Sequence, residues 1–93
     1  MELAKFVRKK RLDAALTLIS VSDDLGISNA TFCKFESGKI ILPKKYLKKL
    51  AKIVDTPESE LQSMRLADEI QKRHEGDPAY KSAIKILNQD GHE

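Results

Sequence analysis

The sequence predicts an all-α fold, on three observations. Apolar residues recur at helical spacing in every long segment. Helix stop and start residues punctuate the chain at Gly26, Gly38, Pro43, Pro57 and Pro78. No segment shows the period-two alternation of a strand, and no internal repeat is evident. The 93 residues are of one-domain length, and 41% hydrophobic with 33% charged residues is the make-up of a globular chain rather than a disordered tail.

Residues 2–14 place Leu3, Phe6, Val7 and Leu12 at the spacing of one helix face, with Lys5, Arg8, Lys9 and Lys10 mostly elsewhere. Thr17 is a natural N-cap for a second helix carrying Leu18, Val21 and Leu25. Gly26 can supply the positive φ that ends it, Ile27 plugs the turn, and Ser28 caps a third helix whose inward residues are Phe32 and Phe35. Gly38 stops that helix, and residues 39–42 form a loop. Pro43 suits the first position of a fourth helix with Tyr46, Leu47, Leu50, Ala51, Ile53 and Val54 on its apolar face. Thr56 and Pro57 cap and start a further helix to about Arg73, and Ala79 to Asn88 reads as a last short one. Residues 89–93 are expected to fray.

Charge divides the chain. Residues 1–54 hold twelve Lys/Arg against five acids, +7, and residues 55–93 hold five against nine, −4. A basic N-terminal part is what attraction to phosphate requires, with the acidic remainder facing away from a polyanion, although a Lys-rich helix can also be merely well solvated. No apolar run approaches the roughly 20 residues of a membrane span, and the basic N-terminus has no apolar stretch after it, so no membrane association or secretory signal is expected and the location is expected to be cytoplasmic. With Cys33 as the one cysteine, neither an intramolecular disulfide nor a cysteine-based zinc site is available. His74 and His92 have no companion ligands nearby, so no metal is expected. Asp23 and Asp24 are adjacent and do not face each other on a helix. No nucleophile, base and orienting group assemble, so neither catalysis nor a cofactor is expected.

The segment Leu16–Gly38 therefore reads as two short amphipathic helices around a tight Leu25-Gly26-Ile27-Ser28 turn. In the order Arg11…Leu16-Thr17…Val21-Ser22…Leu25-Gly26-Ile27-Ser28…Phe32…Phe35-Glu36-Ser37-Gly38-Lys39…Pro43…Leu47…Leu50-Ala51…Val54…Leu61, the chain resembles the Cro/cI-type helix-turn-helix family of phage repressors and bacterial regulators, over about residues 3–62. The resemblance implies a five-helix lambda-repressor-like helix-turn-helix domain in residues 1–62, followed by a helical C-terminal extension in 63–93.

By that resemblance the recognition helix is Ser28–Ser37, and the base-reading positions fall on Asn29, Ala30 and Lys34. Asn can bond adenine bidentately, Lys can donate to guanine, and Ala can touch a thymine methyl. Thr17, Thr31, Ser37, Lys39 and Lys44 fall at positions suited to the DNA backbone, where contacts fix register without reading sequence. Glu36 matches an acid that pairs with a helix-one arginine, here Arg11, as a structural clamp. Two positions depart from the family: Leu18 stands where a phosphate-anchoring Gln is common, and Ile19 where a polar residue is usual. The apolar run Ile40, Ile41 and Leu42 is expected at a dimer interface.

The function this implies is a sequence-specific, non-enzymatic regulator of transcription, a dimeric repressor on an inverted-repeat operator in double-stranded DNA. Dimerisation through the 40–42 loop or through the C-terminal extension is left open. The alternative is a protein-binding module such as an antitoxin, whose acidic residues 62–93 hold a partner protein while DNA binding serves autoregulation.

Overall fold

The computed structural model of the protein describes residues 1–90, with side chains through Leu87. Among these residues six α-helices and one 3-10 turn follow in order: α1 (Glu2–Asp13), α2 (Leu18–Leu25), α3 (Asn29–Glu36), the 3-10 turn Lys44–Tyr46, α4 (Leu47–Ile53), α5 (Glu58–His74) and α6 (Tyr80–Asp90). The fold is all-helical, and the count of five is not exact. The single helix expected from Pro43 is split, because the chain winds as a 3-10 turn behind Pro43 and becomes α-helical only at Leu47. Gln89 and Asp90 belong to α6, whereas His92 and the last residues of the expected frayed end lie outside the described residues. No helix among the described residues is long and apolar enough to cross a membrane.

The core draws on α1 to α5. Leu3, Ala4 and Val7 of α1 meet Val21 and Leu25 of α2, Phe32 and Phe35 of α3, Leu47, Leu50 and Ala51 of α4, Val54, and Leu61 of α5. The Phe32 and Phe35 rings lie 5.7 Å apart at 49°, a tilted pairing favoured by the aromatic quadrupole. Leu12 does not join them and is 56% exposed. Arg11 fills the inward position of that turn, and the next residue lies about 100° further round the helix.

Four helices end in the same way. After α2 the amide of Gly26 donates to Asp23 and that of Ile27 to Ser22; after α3 Gly38 donates to Phe35 and Lys39 to Lys34. These paired bonds around a left-handed residue form the Schellman arrangement, which satisfies the last carbonyls of a helix. The ends of α1 and α4 repeat it, but with Ala15 (φ 57°) and Asp55 (φ 49°) in the left-handed position. Glycine marks the motif in the sequence at Gly26 and Gly38 only. Thr56 is not the cap of α5. Its hydroxyl donates back to the Val54 carbonyl at 3.0 Å, it is buried, and α5 begins behind Pro57.

Helix α5 runs unbroken through the boundary expected at 62/63. Its Asp68, 3% exposed, accepts from the backbone N–H of Glu2 at 2.7 Å and of Leu3 at 3.1 Å. The first turn of α1 has no cap from Met1, so a residue 66 positions away supplies it. A carboxylate also suits the positive end of the helix dipole. Part of the extension therefore belongs to the core domain.

Candidate nucleic-acid interface

Helices α2 and α3 pack as a pair around the three-residue turn 26–28. Each is capped by its own hydroxyl. Thr17 Oγ1 accepts from the Ser20 amide at 3.0 Å, and Ser28 Oγ accepts from the Thr31 amide at 3.1 Å. Ser28 also donates its hydroxyl hydrogen to Thr31 Oγ1 at 2.8 Å, leaving the Thr31 hydroxyl its own hydrogen to give.

Three attachments fix α3 from behind. The first is apolar, Phe32 and Phe35 being buried. The second joins its end to α1: Arg11 donates from Nε to Glu36 Oε2 at 2.7 Å and from Nη2 to Oε1 at 2.9 Å, while Nη1 reaches the Leu16 carbonyl at 3.0 Å. The side chains of this pair are only 11% and 6% exposed. The Glu36 hydrogen bonds raise the guanidinium pKa above its ordinary value, against the lowering effect of burial. The third attachment is at the start of α3, where the fully buried Ser22 of α2 hydrogen-bonds the Asn29 side-chain amide.

Ser22 Oγ also lies 3.0 Å from the Ile19 carbonyl. One hydroxyl hydrogen serves one acceptor. All three groups are satisfied together when Ser22 donates to Ile19 and the Asn29 amide nitrogen donates to Ser22, with the Asn29 carbonyl turned outward. Asn29 thus has one edge committed to α2, a constraint on the adenine contact that its sequence position suggests. Ser22 itself was not singled out in the sequence; its signal was a hydroxyl on the inward stripe of α2.

The outward face of α3 carries Ala30, Cys33 and Lys34, all exposed. Ser37 is exposed at the helix end, where its hydroxyl donates to the Lys34 carbonyl at 3.1 Å, and Lys39 follows on the surface. Lys44 is exposed at the start of the 3-10 turn, and Lys45, Lys48, Lys49 and Lys52 form an exposed stripe from there along α4. Among the described residues the ion pairs are Arg11–Glu36 and Arg65–Glu69, so Lys34, Lys39 and the α4 lysines face solvent without an acidic partner. Leu18 is half-buried against the core, whereas Ile19 is 58% exposed.

The 40–42 loop departs from expectation. Leu42 is fully buried, and its carbonyl accepts from Arg65 Nε of α5 at 2.7 Å, so it is a core residue and cannot form a dimer surface. Ile40 is half-buried against the same core, and Ile41 is half-buried. The large exposed apolar residues of the C-terminal part are Leu66 and Ile70 of α5 and Ile86 and Leu87 of α6. His74 stacks on Tyr80 with ring centroids 5.9 Å apart, at the elbow between those helices. Among the described residues no three His, Cys, Asp or Glu side chains gather as metal ligands would. No family model, curated protein or solved structure matches the chain, so its own geometry carries the functional reading.

Proposed function

We propose that the protein is a cytoplasmic, sequence-specific DNA-binding regulator of transcription, a non-enzymatic dimeric repressor of the Cro/cI helix-turn-helix type that lays α3 in the major groove. The observation that carries this reading is the division of α3 into a face pinned at Asn29, Phe32, Phe35 and Glu36 and an opposite face presenting Ala30 and an unpaired Lys34. At about 1.5 Å per residue an eight-residue helix is about 12 Å long, comparable with the width of the major groove. Thr17, Thr31, Ser37, Lys39 and Lys44 are the backbone contacts in this reading. The lysine stripe of α4 supports it as well. Like charges at i, i+3 and i+4 oppose helix formation, as do cations near a helix start, and a polyanion relieves both.

With Leu42 in the core, the exposed apolar residues of α5 and α6 are the better-supported dimer surface. They also favour the second reading, a module of antitoxin type whose extension holds a partner protein. Protein lacking α6 separates the two: a regulator loses self-association and half-site pairing, whereas a partner-binding module loses a stoichiometric protein partner. For α3 the test is Lys34→Ala against a panel of duplexes. A change in base preference, not only in affinity, is the expected result, and a uniform loss counts against base reading.

A further inference from the structure

Asn29 is exposed in the first turn of α3, where an unrestrained amide bonds adenine bidentately, accepting from N6 and donating to N7. That contact needs the carbonyl and an amide hydrogen presented to the base together. The packing of α2 against α3 decides how much of the amide is presented.

Behind Asn29 stands Ser22 of α2, with 0% exposure, so no water competes for its hydroxyl oxygen. Its single hydrogen goes to the Ile19 carbonyl at 3.0 Å, and toward Asn29 the oxygen acts as acceptor. The Asn29 nitrogen is then the corner of the planar amide held inward, and the carbonyl oxygen is the corner turned out. The backbone beneath is fixed as well: Ser28 accepts from the Thr31 amide at 3.1 Å, and Phe32, three residues on, is fully buried. An outward oxygen can accept a hydrogen bond and cannot donate one. In the major groove adenine offers the N6 amino group and cytosine the N4 amino group. Guanine offers N7 and O6, and thymine offers O4, all acceptors that an oxygen meets unfavourably.

We propose that Ser22 is a positioning residue that sets the hydrogen-bonding sense of Asn29, so that α3 takes at this position either base bearing a major-groove amino group, adenine or cytosine, and rejects guanine and thymine. The inference rests on the DNA-binding reading of α3 and replaces the bidentate adenine contact expected of Asn29.

The test uses the full chain and a site recovered by in-vitro selection. Asn29→Ala locates the base pair, as the one at which preference is lost. Four duplexes differing only in the base that Asn29 contacts, and a scrambled duplex of equal length, are then titrated with the wild type, Ser22→Ala, Asn29→Asp and Lys34→Ala. One hydrogen bond is worth about two- to twelvefold in affinity. The wild type is expected to bind the adenine and cytosine duplexes within about twofold of each other, and each roughly fivefold or more above the guanine and thymine duplexes. Ser22→Ala frees the nitrogen for N7 and should favour adenine over cytosine by about fivefold, with the preference that depends on Lys34 unchanged. Asn29→Asp keeps an acceptor facing the base and should preserve the preference for amino-bearing bases, a result independent of what Ser22→Ala does to stability. A wild type that selects adenine alone, a Ser22→Ala protein with wild-type preferences, an Asn29→Asp protein without the amino preference, or an Asn29→Ala protein that loses no preference overturns the inference. In those cases the regulator reading stands as long as Lys34→Ala alters preference elsewhere in the site. If the wild type does not separate the selected site from the scrambled duplex, both fall together.

Discussion

Replacing Asp68 by Ala should destabilise the whole protein, although the residue lies far from α3. Its carboxylate is the acceptor for two amides of the first turn of α1, and those amides have no other partner in the structure. The Leu3 amide is buried and would be left unpaired, at about 2 kcal/mol; the Glu2 amide is only partly buried and can turn to water, at about 1 kcal/mol. The sum, about 3 kcal/mol, is a large share of the stability of a small domain. For a chain of this length it corresponds to a fall in Tm of roughly 12–24 °C. Asp68→Asn keeps the shape and one acceptor but loses the charge, and should cost about 2 kcal/mol. Urea unfolding followed by circular dichroism measures both, with an unchanged m-value showing that the two states compared are the same. A cost below about 1 kcal/mol for Asp68→Ala would show that α1 does not depend on α5 for its cap, and the continuity of core and extension argued from Asp68 would fail.

Three further outcomes follow from the same contacts. Glu36→Ala leaves Arg11 charged in a nearly closed site with only the Leu16 carbonyl, and should cost about 3 kcal/mol in urea unfolding; the double variant Arg11→Met/Glu36→Leu should recover most of that while weakening DNA binding, because α3 loses its fixed angle. Ala15→Gly should raise stability by up to about 1 kcal/mol in the same assay, since a left-handed alanine costs more than the extra freedom of an unfolded glycine, and a loss of stability would contradict that φ. Lys48→Glu, between Lys45 of the 3-10 turn and Lys52 of α4, should stabilise the fold by a few tenths of a kcal/mol yet weaken binding to any duplex, read from a melting curve and a salt titration.

Apolar spacing made most of the core legible. Val7, Val21, Leu25, Phe32, Phe35, Leu47, Leu50 and Leu61 lie inside as their positions suggest. Leu12 and Leu42 fail for a shared reason: hydrophobicity does not say which side of a turn a residue takes. Arg11 displaced the first outward, and a hydrogen bond from Arg65 pinned the loop that buries the second. Asp68 lies seven residues after Leu61, on the inward stripe of α5, and a lone acid there was the available signal for a buried cap. Its partner amides, at the opposite end of the chain, could not be read from local pattern. At α3 the residue types and spacing were legible. The hold of Ser22 on Asn29 depends on how α2 and α3 meet, which the local pattern of either helix does not carry.

In-vitro selection of binding sites from random double-stranded DNA reads out whether α3 recognises base sequence. A dimer reading through α3 should enrich an inverted repeat whose half-sites lie about one helical turn apart, roughly 34–36 Å, and Lys34→Ala should change one base position within each half. Recovery of sequences no different from the starting pool would contradict it.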